Sequence, residues 1–345
     1  MVHLAIEPIT LNLKTPFRIA HGTSLARHNV LVHLGDGVGE GALAPYYGYS
    51  QAEIVAYLYS LDPGVLLGDD PLALEDALDR LPPGPAPARA AIDVALHDYW
   101  AKRLGQPLYR LWGLNPMGAP LSSLTLSITE DEEELRRRVR AAEGFPILKL
   151  KLGAGNLEAD EAIVRVACQE KGCDVRLCVD ANGAWQVDEA ARVIPRLAAY
   201  DLLFIEQPIP QTDAEDWHRL RRLLPGGLPP LIADESVQRA GDLLVLAGAA
   251  DGINIKLAKA GGLRKARRMI ALARTLGMQV MLGCMVESSV GITAAAHLAP
   301  LVDFADLDGN LDVTNDPYVG VKMEYGRLYL PEGTGLGVDK KLSED

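Results

Sequence analysis

The sequence predicts an α/β fold in which a (β/α)8-type TIM barrel carries a smaller α+β capping domain. Eight short apolar runs follow Pro120, and equivalent points from the second run to the eighth are 22 to 31 residues apart. That spacing is the length of one strand–helix unit. The segment before Pro120 lacks this regularity, so we expect it to form a separate unit. The chain of 345 residues is long enough for both.

The first 120 residues are the predicted capping domain. Val2–Lys14 alternates between apolar and polar residues, which predicts a strand. Ser50, followed three residues later by Glu53, predicts a capping box at the start of a helix. A longer helix is expected over 88–104. A break rich in glycine and proline then predicts the domain boundary.

Residues 121–315 are the predicted barrel, and the segment 316–345 is expected to return to the capping domain and complete it. The barrel strands are predicted from apolar runs, and the longer amphipathic segments between them predict helices. The eight runs are Leu121–Ile128, Ile147–Leu152, Val175–Val179, Leu202–Ile205, Leu231–Ala233, Ile253–Leu257, Gln279–Cys284 and Val302–Leu307.

Three acidic residues stand where the third, fourth and fifth runs end. They are Asp180, Glu206 and Asp234. The C-terminal strand ends of such a barrel form its active-site face, so these carboxylates are expected to converge. Converging carboxylates cannot all stay ionised unless a cation neutralises them. Hard oxygen ligands from separate strands suit Mg²⁺, and we predict one such ion here.

Two lysines, Lys151 and Lys256, end the second and sixth runs and are expected to face each other across the barrel mouth. One can remove a proton next to a substrate carboxylate, and the other can return one to the opposite face. Lys149 is expected to lower the pKa of Lys151 by like-charge repulsion. Lys259 competes with Lys256 on spacing. The alternative is a network of lysine–carboxylate salt bridges without a metal, which we disfavour because the lysines are expected beside the acids, not among them.

Taken together, these motifs resemble those of the enolase superfamily, muconate-lactonizing-enzyme subgroup. The residues that carry the resemblance are Lys149-Leu150-Lys151, Asp180-Ala181-Asn182, Glu206-Gln207-Pro208, Ala233-Asp234-Glu235-Ser236 and Ile255-Lys256. The resemblance implies one Mg²⁺ on the three carboxylates and an acid/base pair made of Lys151 and Lys256. It also implies that Lys149 is an electrostatic helper, and that proton transfer passes through an enediolate of the substrate carboxylate.

The eighth run ends in Asp306-Leu307-Asp308, which is similar to the dipeptide epimerases of the L-Ala-D/L-Glu epimerase type. In that group the pair receives the free ammonium of the substrate. The resemblance therefore implies an isomerase that epimerises a dipeptide at the α-carbon of its C-terminal residue. A turn-capping role for the two aspartates is the alternative. Thr125 and Cys284 are expected to face the mouth by register, as pocket residues or as ordinary packing.

The second residue of the dipeptide stays open. Epimerases for L-Ala-L-Glu resemble one another in an arginine on the loop after the first strand, which meets the glutamate side chain. In this sequence that position falls near His21 or Gly22, and Arg18 is out of register with it. The sequence therefore does not predict glutamate specificity.

Three alternatives share the fold: N-succinylamino acid racemase, o-succinylbenzoate synthase and muconate cycloisomerase. Their ligands are anionic or neutral away from the metal, so two aspartates there would repel them. A catalytically silent barrel that binds a metal or an amino acid is the alternative from another class. The two opposed lysines disfavour it, because metal binding alone needs neither.

Composition narrows the class of protein further. The net charge of −12 excludes a general basic surface for nucleic acid. The longest uncharged stretch, 111–129, is broken by proline, glycine and hydroxyl residues, so no membrane span is expected. The four cysteines have no metal-binding spacing and predict free thiols in a reducing cytoplasm. We also expect a homo-oligomer, which is common for this fold class.

Overall fold

An antiparallel sheet and a group of helices form the amino-terminal part of the computed structural model, which describes residues 2–153, 155–211 and 213–342. The strands, in sheet order, are β1 (Leu4–Ile19), β2 (Gly22–Leu34) and β3 (Gly37–Gly41). The helices are α1 (Gln51–Tyr59), α2 (Pro63–Leu67), α3 (Leu74–Arg80), α4 (Ala86–Arg103) and α5 (Leu108–Leu111). The predicted capping box of Ser50 and Glu53 opens α1.

The first strand, β1, continues further than the sequence predicts. The predicted first strand ends at Lys14, whereas β1 continues to Ile19 and pairs with residues that directly follow the turn. Many side chains of this outer half are exposed or half-buried, so its sequence carries no clear alternation. The extension matters because it carries the hairpin tip over the barrel mouth, where Ala20 packs near Gly153.

Glycines on β3 bring α4 unusually close to the sheet. A Cβ at Gly39 would lie 2.1 Å from the carbonyl oxygen of Ala91, and one at Gly37 would lie 2.4 Å from that of Ala95. Small residues on both sides therefore allow backbone-to-backbone packing. This contact fixes the capping sheet on its longest helix.

Eight parallel strands form the second unit, and chain neighbours are sheet neighbours throughout. They are β4 (Leu124–Leu126), β5 (Ile147–Lys151), β6 (Arg176–Asp180), β7 (Ile205–Glu206), β8 (Leu231–Ala233), β9 (Gly252–Ile255), β10 (Gln279–Gly283) and β11 (Phe304–Asp306). A parallel bridge between Ser122 and Ala305 joins the two edges of this sheet. The predicted fold class, a (β/α)8-type barrel with a capping domain, is confirmed, and each predicted run overlaps one strand.

Helices cover the outside of the barrel. They are α6 (Glu132–Ala141), α7 (Leu157–Glu170), α8 (Val187–Leu197), α9 (Ala214–Leu223), α10 (Ala240–Leu246), α11 (Leu257–Ala260), α12 (Leu263–Thr275) and α13 (Ser289–Ala296). Short 3₁₀ turns lie at Pro45–Tyr47, Pro116–Gly118, Ala198–Tyr200 and Ala299–Leu301. Within the described residues, no helix combines the length and apolar character needed to cross a membrane.

The carboxy-terminal segment divides its contacts between the two units. It contains β12 (Tyr318–Val319), β13 (Lys322–Glu324), β14 (Arg327–Tyr329) and β15 (Asp339–Lys340). The turn of the β13–β14 hairpin binds the barrel, because Ser122 N–H donates to Gly326 O at 2.7 Å. Leu108 N–H of the capping domain donates to Gly335 O at 2.9 Å. The described part of the predicted segment 316–345 thus contacts both units, and its end, 343–345, lies outside the described residues.

A pair of buried carboxyl groups lies where the capping domain meets the barrel. Glu40 on β3 accepts hydrogen bonds from the Ser288 and Gly291 N–H groups, each at 3.0 Å. Glu287 accepts one from Met285 N–H at 2.8 Å. Burial, and then the nearby Glu40, raise the pKa of Glu287 to about 8. Glu287 is therefore protonated in the folded protein at neutral pH.

Replacing Glu287 by Gln should make stability less dependent on pH. The folded state keeps this proton up to about pH 8, whereas the unfolded chain loses it near pH 4.3. The group therefore lowers the free energy of unfolding as pH rises from about 5 to 8, by at most about 1.4 kcal/mol per pH unit. Glu287→Gln cannot titrate, so its stability relative to wild type should rise over that interval.

Denaturant unfolding at pH 5.5 and pH 8 measures this change in relative stability. The exposed Glu143→Gln is the control, and an equal difference at both pH values would contradict the assignment.

Candidate active site

Three buried carboxylates meet at the C-terminal ends of neighbouring barrel strands. Asp180 ends β6, Glu206 ends β7 and Asp234 follows β8. One oxygen of each lies within 4.8 Å of the others, and all three residues have no solvent exposure. Burial, and then Asp180, raise the pKa of Glu206 to about 7. This concentration of negative charge and oxygen donors fits a divalent cation.

The strand register and two polar turns hold these carboxylates in place. In the ladder, Asp180 pairs with Lys151 on one side and with Glu206 on the other. Asn182, with a φ of 44°, turns the chain and donates its N–H to Asp180 Oδ1 at 2.8 Å. The Gln207 side-chain oxygen accepts the Asp234 N–H at 2.8 Å. The polar residues beside the acids therefore orient them.

Lys149 lies among the acids, so the expectation that the lysines stand only beside them is wrong for this residue. Its Nζ is 2.6 Å from Asp306 Oδ2, 2.7 Å from Glu206 Oε2 and 3.6 Å from Asp180 Oδ2. Burial by itself lowers the pKa of Lys149, but the three carboxylates together raise it well above its usual range. Lys149 is therefore a fixed cation within the cluster. The salt-bridge network weighed as an alternative to a metal site is thus present around the same carboxylates.

Lys151 and Lys256 contact the two outer members of the carboxylate row. Lys151 Nζ lies 2.6 Å from Asp180 Oδ2, and Lys256 Nζ lies 2.8 Å from Asp234 Oδ2. Burial lowers the pKa of Lys256, but Asp234 together with Tyr46, Tyr47 and Glu206 raises it well above its usual range. Both lysines line the large cavity at the barrel mouth. They approach the cluster from opposite ends of the row.

Lys259, which competes with Lys256 on spacing, makes contacts that differ from those of a lysine in the cavity wall. Its Nζ donates to the main-chain oxygens of Asp234, at 2.6 Å, and of Asn254, at 3.2 Å. It also forms an ion pair with the Asp234 side chain. Burial lowers the pKa of Lys259. Lys259 therefore links the end of β8 to β9 next to Asp234. Lys256 is the lysine of this pair that lines the large cavity.

The cavity at the barrel mouth has a volume of about 380 Å³. That is the size of a site for a small molecule. Barrel residues and capping-domain residues share its wall. The barrel side includes Thr125, Lys149, Lys151, Lys256, Cys284, Asp306 and Asp308, and the capping side includes Phe17, Ile19, Arg27 and Tyr46.

The two aspartates of the eighth strand differ in their surroundings. Asp306 accepts hydrogen bonds from Ser123 Oγ at 2.6 Å and Thr125 Oγ1 at 3.2 Å, besides its contact with Lys149. Asp308 accepts the Thr125 N–H at 2.6 Å. Burial, and then Asp306, raise the pKa of Asp308 to about 6. Asp308 is therefore the aspartate with more capacity for a cationic ligand.

Thr125 and Cys284 both lie in the cavity wall. Thr125 contacts both aspartates, so its contribution goes beyond packing. Cys284 has its pKa raised well above its usual range by burial and then by Asp308, which keeps the side chain a neutral thiol.

Capping-domain residues are the part of the site that the sequence pattern did not reveal. His21, at the hairpin tip, stacks on Tyr46 with ring centroids 4.7 Å apart and lies 3.8 Å from Glu235 Oε1. Arg18 points elsewhere and pairs with the exposed Glu130 at 2.6 Å. Arg27, five residues after Gly22, lines the cavity from the return strand β2. No spacing rule connects these residues to the barrel motifs.

A barrel mouth with three carboxylates between opposed lysines, covered by a strand hairpin, defines an enolase-type barrel protein. Comparison with known sequences agrees. Residues 131–344 match the family described as Enolase C-terminal domain-like, and residues 1–113 match the Mandelate racemase / muconate lactonizing enzyme, N-terminal domain. The chain belongs to the mandelate racemase / muconate lactonizing enzyme family.

Within this family, the chain is similar to several proteins named as epimerases. The chain is 38% identical over 343 residues to the L-Ala-D/L-Glu epimerase of Bacteroides thetaiotaomicron, covering 96% of this chain and 86% of the relative. The structure of a substrate-liganded L-Ala-D/L-Glu epimerase from Bacillus subtilis superposes with a TM-score of 0.91 at 29% identity, covering 98% of both chains. A dipeptide epimerase from Enterococcus faecalis, solved with Mg and L-Leu-L-Tyr, gives 0.88 at 31% identity, with 98% and 99% covered. The predicted resemblance to dipeptide epimerases of the enolase superfamily is confirmed.

Proposed function

We propose that the protein is an isomerase that epimerises a dipeptide at the α-carbon of its C-terminal residue. One observation carries the proposal: Lys151 and Lys256 line one cavity and contact opposite ends of a buried carboxylate row. Two proton-transfer groups on opposite sides of one carbon suit inversion at that carbon. The relatives named as epimerases support the same reaction class.

The substrate carboxylate is placed beside Asp180, Glu206 and Asp234. These residues would hold one Mg²⁺, which would supply positive charge for the carboxylate oxygens when the α-proton leaves. The Enterococcus faecalis epimerase solved with Mg supports that choice of ion. Lys149 supplies a second, permanent positive charge next to Glu206. The Lys149 cation favours the transition state, in which negative charge moves onto the substrate carboxylate.

The lysines move the proton. For one stereoisomer Lys151 Nζ takes the α-proton, and Lys256 Nζ gives a proton to the opposite face. For the other stereoisomer the roles are exchanged. A lysine must be neutral to act as a base. Asp234 raises the pKa of Lys256, so a cation held by Asp234 would favour the neutral form of Lys256 that accepts a proton.

Asp306 and Asp308 are the proposed site of the dipeptide's free ammonium. Asp306 ends β11, the strand opposite β7 in the barrel, and Asp308 follows it. A ligand whose carboxylate lies at the triad would therefore extend towards them. Asp308 has its pKa raised by burial and by Asp306, which a nearby ammonium would reverse. Two carboxylates at this end disfavour N-succinylated substrates.

A dipeptide library in D2O with Mg²⁺ tests the proposed function. Deuterium should enter at the α-carbon of the C-terminal residue of the dipeptides that the enzyme accepts, as measured by mass spectrometry. The N-terminal residue should stay unlabelled. Incorporation into N-succinylamino acids with none into any dipeptide would replace this proposal with a racemase of N-acylated amino acids.

Replacing Asp308 by Asn should lower kcat/KM for free dipeptides by about 10- to 150-fold, the loss of one charged hydrogen bond. N-acetylation removes the substrate cation, so it should reduce kcat/KM of the wild type far more than that of Asp308→Asn. The measurement is a two-by-two comparison of enzyme and substrate forms. Asp312→Asn is the control, because Asp312 also lines the cavity but binds Thr15. A wild type that prefers the acetylated substrate would exclude the ammonium site.

A further inference from the structure

Asp160 is a buried carboxylate that joins two loops of the barrel mouth. It lies in the first turn of α7 and is 1% exposed. Its Oδ1 accepts the Gly153 N–H at 2.8 Å, and its Oδ2 accepts the indole N–H of Trp185 at 2.8 Å. Gly153 belongs to the loop after β5, and Trp185 belongs to the loop after β6. One carboxylate therefore connects the two loops through a charge-assisted hydrogen bond to each of them.

The loop after β5 begins directly behind Lys151. Leu152 N–H donates to Asp180 O at 2.8 Å, which continues the ladder between β5 and β6. The next residue, Gly153, donates its N–H to Asp160, outside the sheet. Asp160 therefore fixes the main chain two residues after the lysine whose Nζ contacts Asp180.

The surroundings of Gly153 leave the end of β5 little room to shift. Its φ of 90° lies in the region that favours glycine. A Cβ at this position would lie 2.8 Å from the Cβ of Ala184, in the loop after β6, and 2.9 Å from the Cβ of Ala20, at the hairpin tip. The Asp160 carboxylate, the loop after β6 and the hairpin thus all hold the chain at one residue.

The other lysine, Lys256, is held by different elements. It follows β9, which lies diametrically opposite β5 in the eight-stranded barrel. It is the N-cap residue of α11, and its main-chain oxygen accepts the N–H groups of Lys259 at 3.1 Å and Ala260 at 2.9 Å. A change at Asp160 should therefore displace Lys151 and leave Lys256 in place.

We propose that Asp160 is a positioning residue that acts through Gly153 to hold Lys151 at one face of the substrate α-carbon. The inference rests on the proposed function, in which the two lysines serve opposite faces. In Asp160→Asn an amide N–H group replaces one acceptor oxygen and faces the N–H of Gly153 or of Trp185, so one of the two hydrogen bonds is lost. A displacement of about 1 Å can lower the rate of a reaction by about 10²-fold.

The test measures exchange of the α-proton with D2O for each pure stereoisomer by NMR. For the stereoisomer that Lys151→Ala affects, Asp160→Asn should lower the exchange rate by about 10- to 100-fold. The rate for the other stereoisomer should stay unchanged. Both rates come from one preparation, so their ratio does not depend on the fraction of folded protein. An unchanged ratio, whether both rates are kept or both fall alike, overturns the inference.

Two further variants separate positioning from general damage to the fold. Trp185→Phe removes the indole N–H, so the amide of Asp160→Asn can turn its oxygen to Gly153. The double variant should therefore regain part of the exchange that Asp160→Asn loses, and a further loss would contradict the role of Gly153. Glu161→Gln is the matched control, because Glu161 is the next residue of α7 but pairs with Arg196 on the surface. It should leave the ratio unchanged.

Hydrogen exchange of the main chain separates this inference from the proposed function. Mass spectrometry should show faster amide exchange in segment 147–153 of Asp160→Asn, by about 10-fold or more, and unchanged exchange in segment 252–255. If wild type exchanges no substrate proton, the function proposal fails, and this local effect alone decides whether Asp160 positions Lys151. If dipeptides are epimerised but neither the ratio nor the amide exchange changes in Asp160→Asn, the function stands and the inference fails.

Discussion

Replacing Lys151 by Ala should abolish exchange of the α-proton with D2O for one stereoisomer of the substrate, and Lys256→Ala should abolish it for the other. Each lysine approaches the carboxylate row from its own end, so each can reach one face of the α-carbon. Loss of a general acid or base typically costs about 10²- to 10⁴-fold in rate. Net epimerisation needs both groups and should fall by at least that factor in either variant. NMR of each pure stereoisomer in D2O measures exchange and inversion separately.

Two further variants make this test specific. Lys259→Ala should weaken both stereoisomers alike, because Lys259 acts through the position of Asp234 and not at the α-carbon. Lys171→Ala, which removes a lysine that binds Val175 O on the outside of the barrel, should leave both rates unchanged. If Lys151→Ala and Lys256→Ala lose exchange of the same stereoisomer, the assignment of one base to each face is wrong.

The barrel could be predicted from sequence because its strands are buried on both faces. Such strands are nearly continuous apolar runs, and this pattern can be recognised without knowledge of their partners. The hairpin formed by β1 and β2 was underestimated for the opposite reason. In the outer half of the hairpin, the end of β1 pairs with the start of β2 over the barrel mouth. Residues 15–28 show little alternation of apolar and polar side chains, so their sequence does not predict a strand.

The positions of the site residues were predictable, but their contacts were not. The fold places Asp180, Glu206 and Asp234 at adjacent strand ends, and the spacing alone gives that result. Lys149 and Lys151 are two residues apart, so both point to the barrel interior, with Lys149 one layer deeper. At that depth Lys149 contacts Glu206 and Asp306. These contacts depend on the register of four neighbouring or opposed strands, which cannot be predicted from the sequence pattern of one strand.

The capping-domain part of the site depends on how two units pack against each other. Arg27 and Tyr46 reach the cavity because β2 and the turn at Pro45–Tyr47 lie over the barrel mouth. Nothing in their local sequence distinguishes them from structural residues of a small sheet. The sequence therefore predicted the reaction class, which the barrel motifs indicate, and left the dipeptide open, because capping-domain side chains line the cavity and no barrel motif predicts them.

Replacing Glu206 by Gln should weaken Mg²⁺ binding and remove epimerase activity together. The variant keeps the size of the side chain but lowers the negative charge of the triad. It also leaves Lys149 with two carboxylate contacts, to Asp180 and Asp306, in place of three. Changes even outside the first coordination shell cost about 10- to 100-fold in metal affinity, so the loss of a ligand charge should cost at least that.

A metal binds the deprotonated carboxylate, and the pKa of Glu206 is raised to about 7. The affinity of wild type for Mg²⁺ should therefore increase as pH rises through about 7, and this dependence should be weaker in Glu206→Gln. Calorimetric titration with Mg²⁺ at pH 6 and pH 8, without dipeptide, measures both effects. Glu287→Gln is the control, since it replaces another buried carboxyl of raised pKa outside the triad. Full turnover after exhaustive chelation, or an unchanged Mg²⁺ affinity in Glu206→Gln, would show that the triad does not hold the metal that the reaction needs.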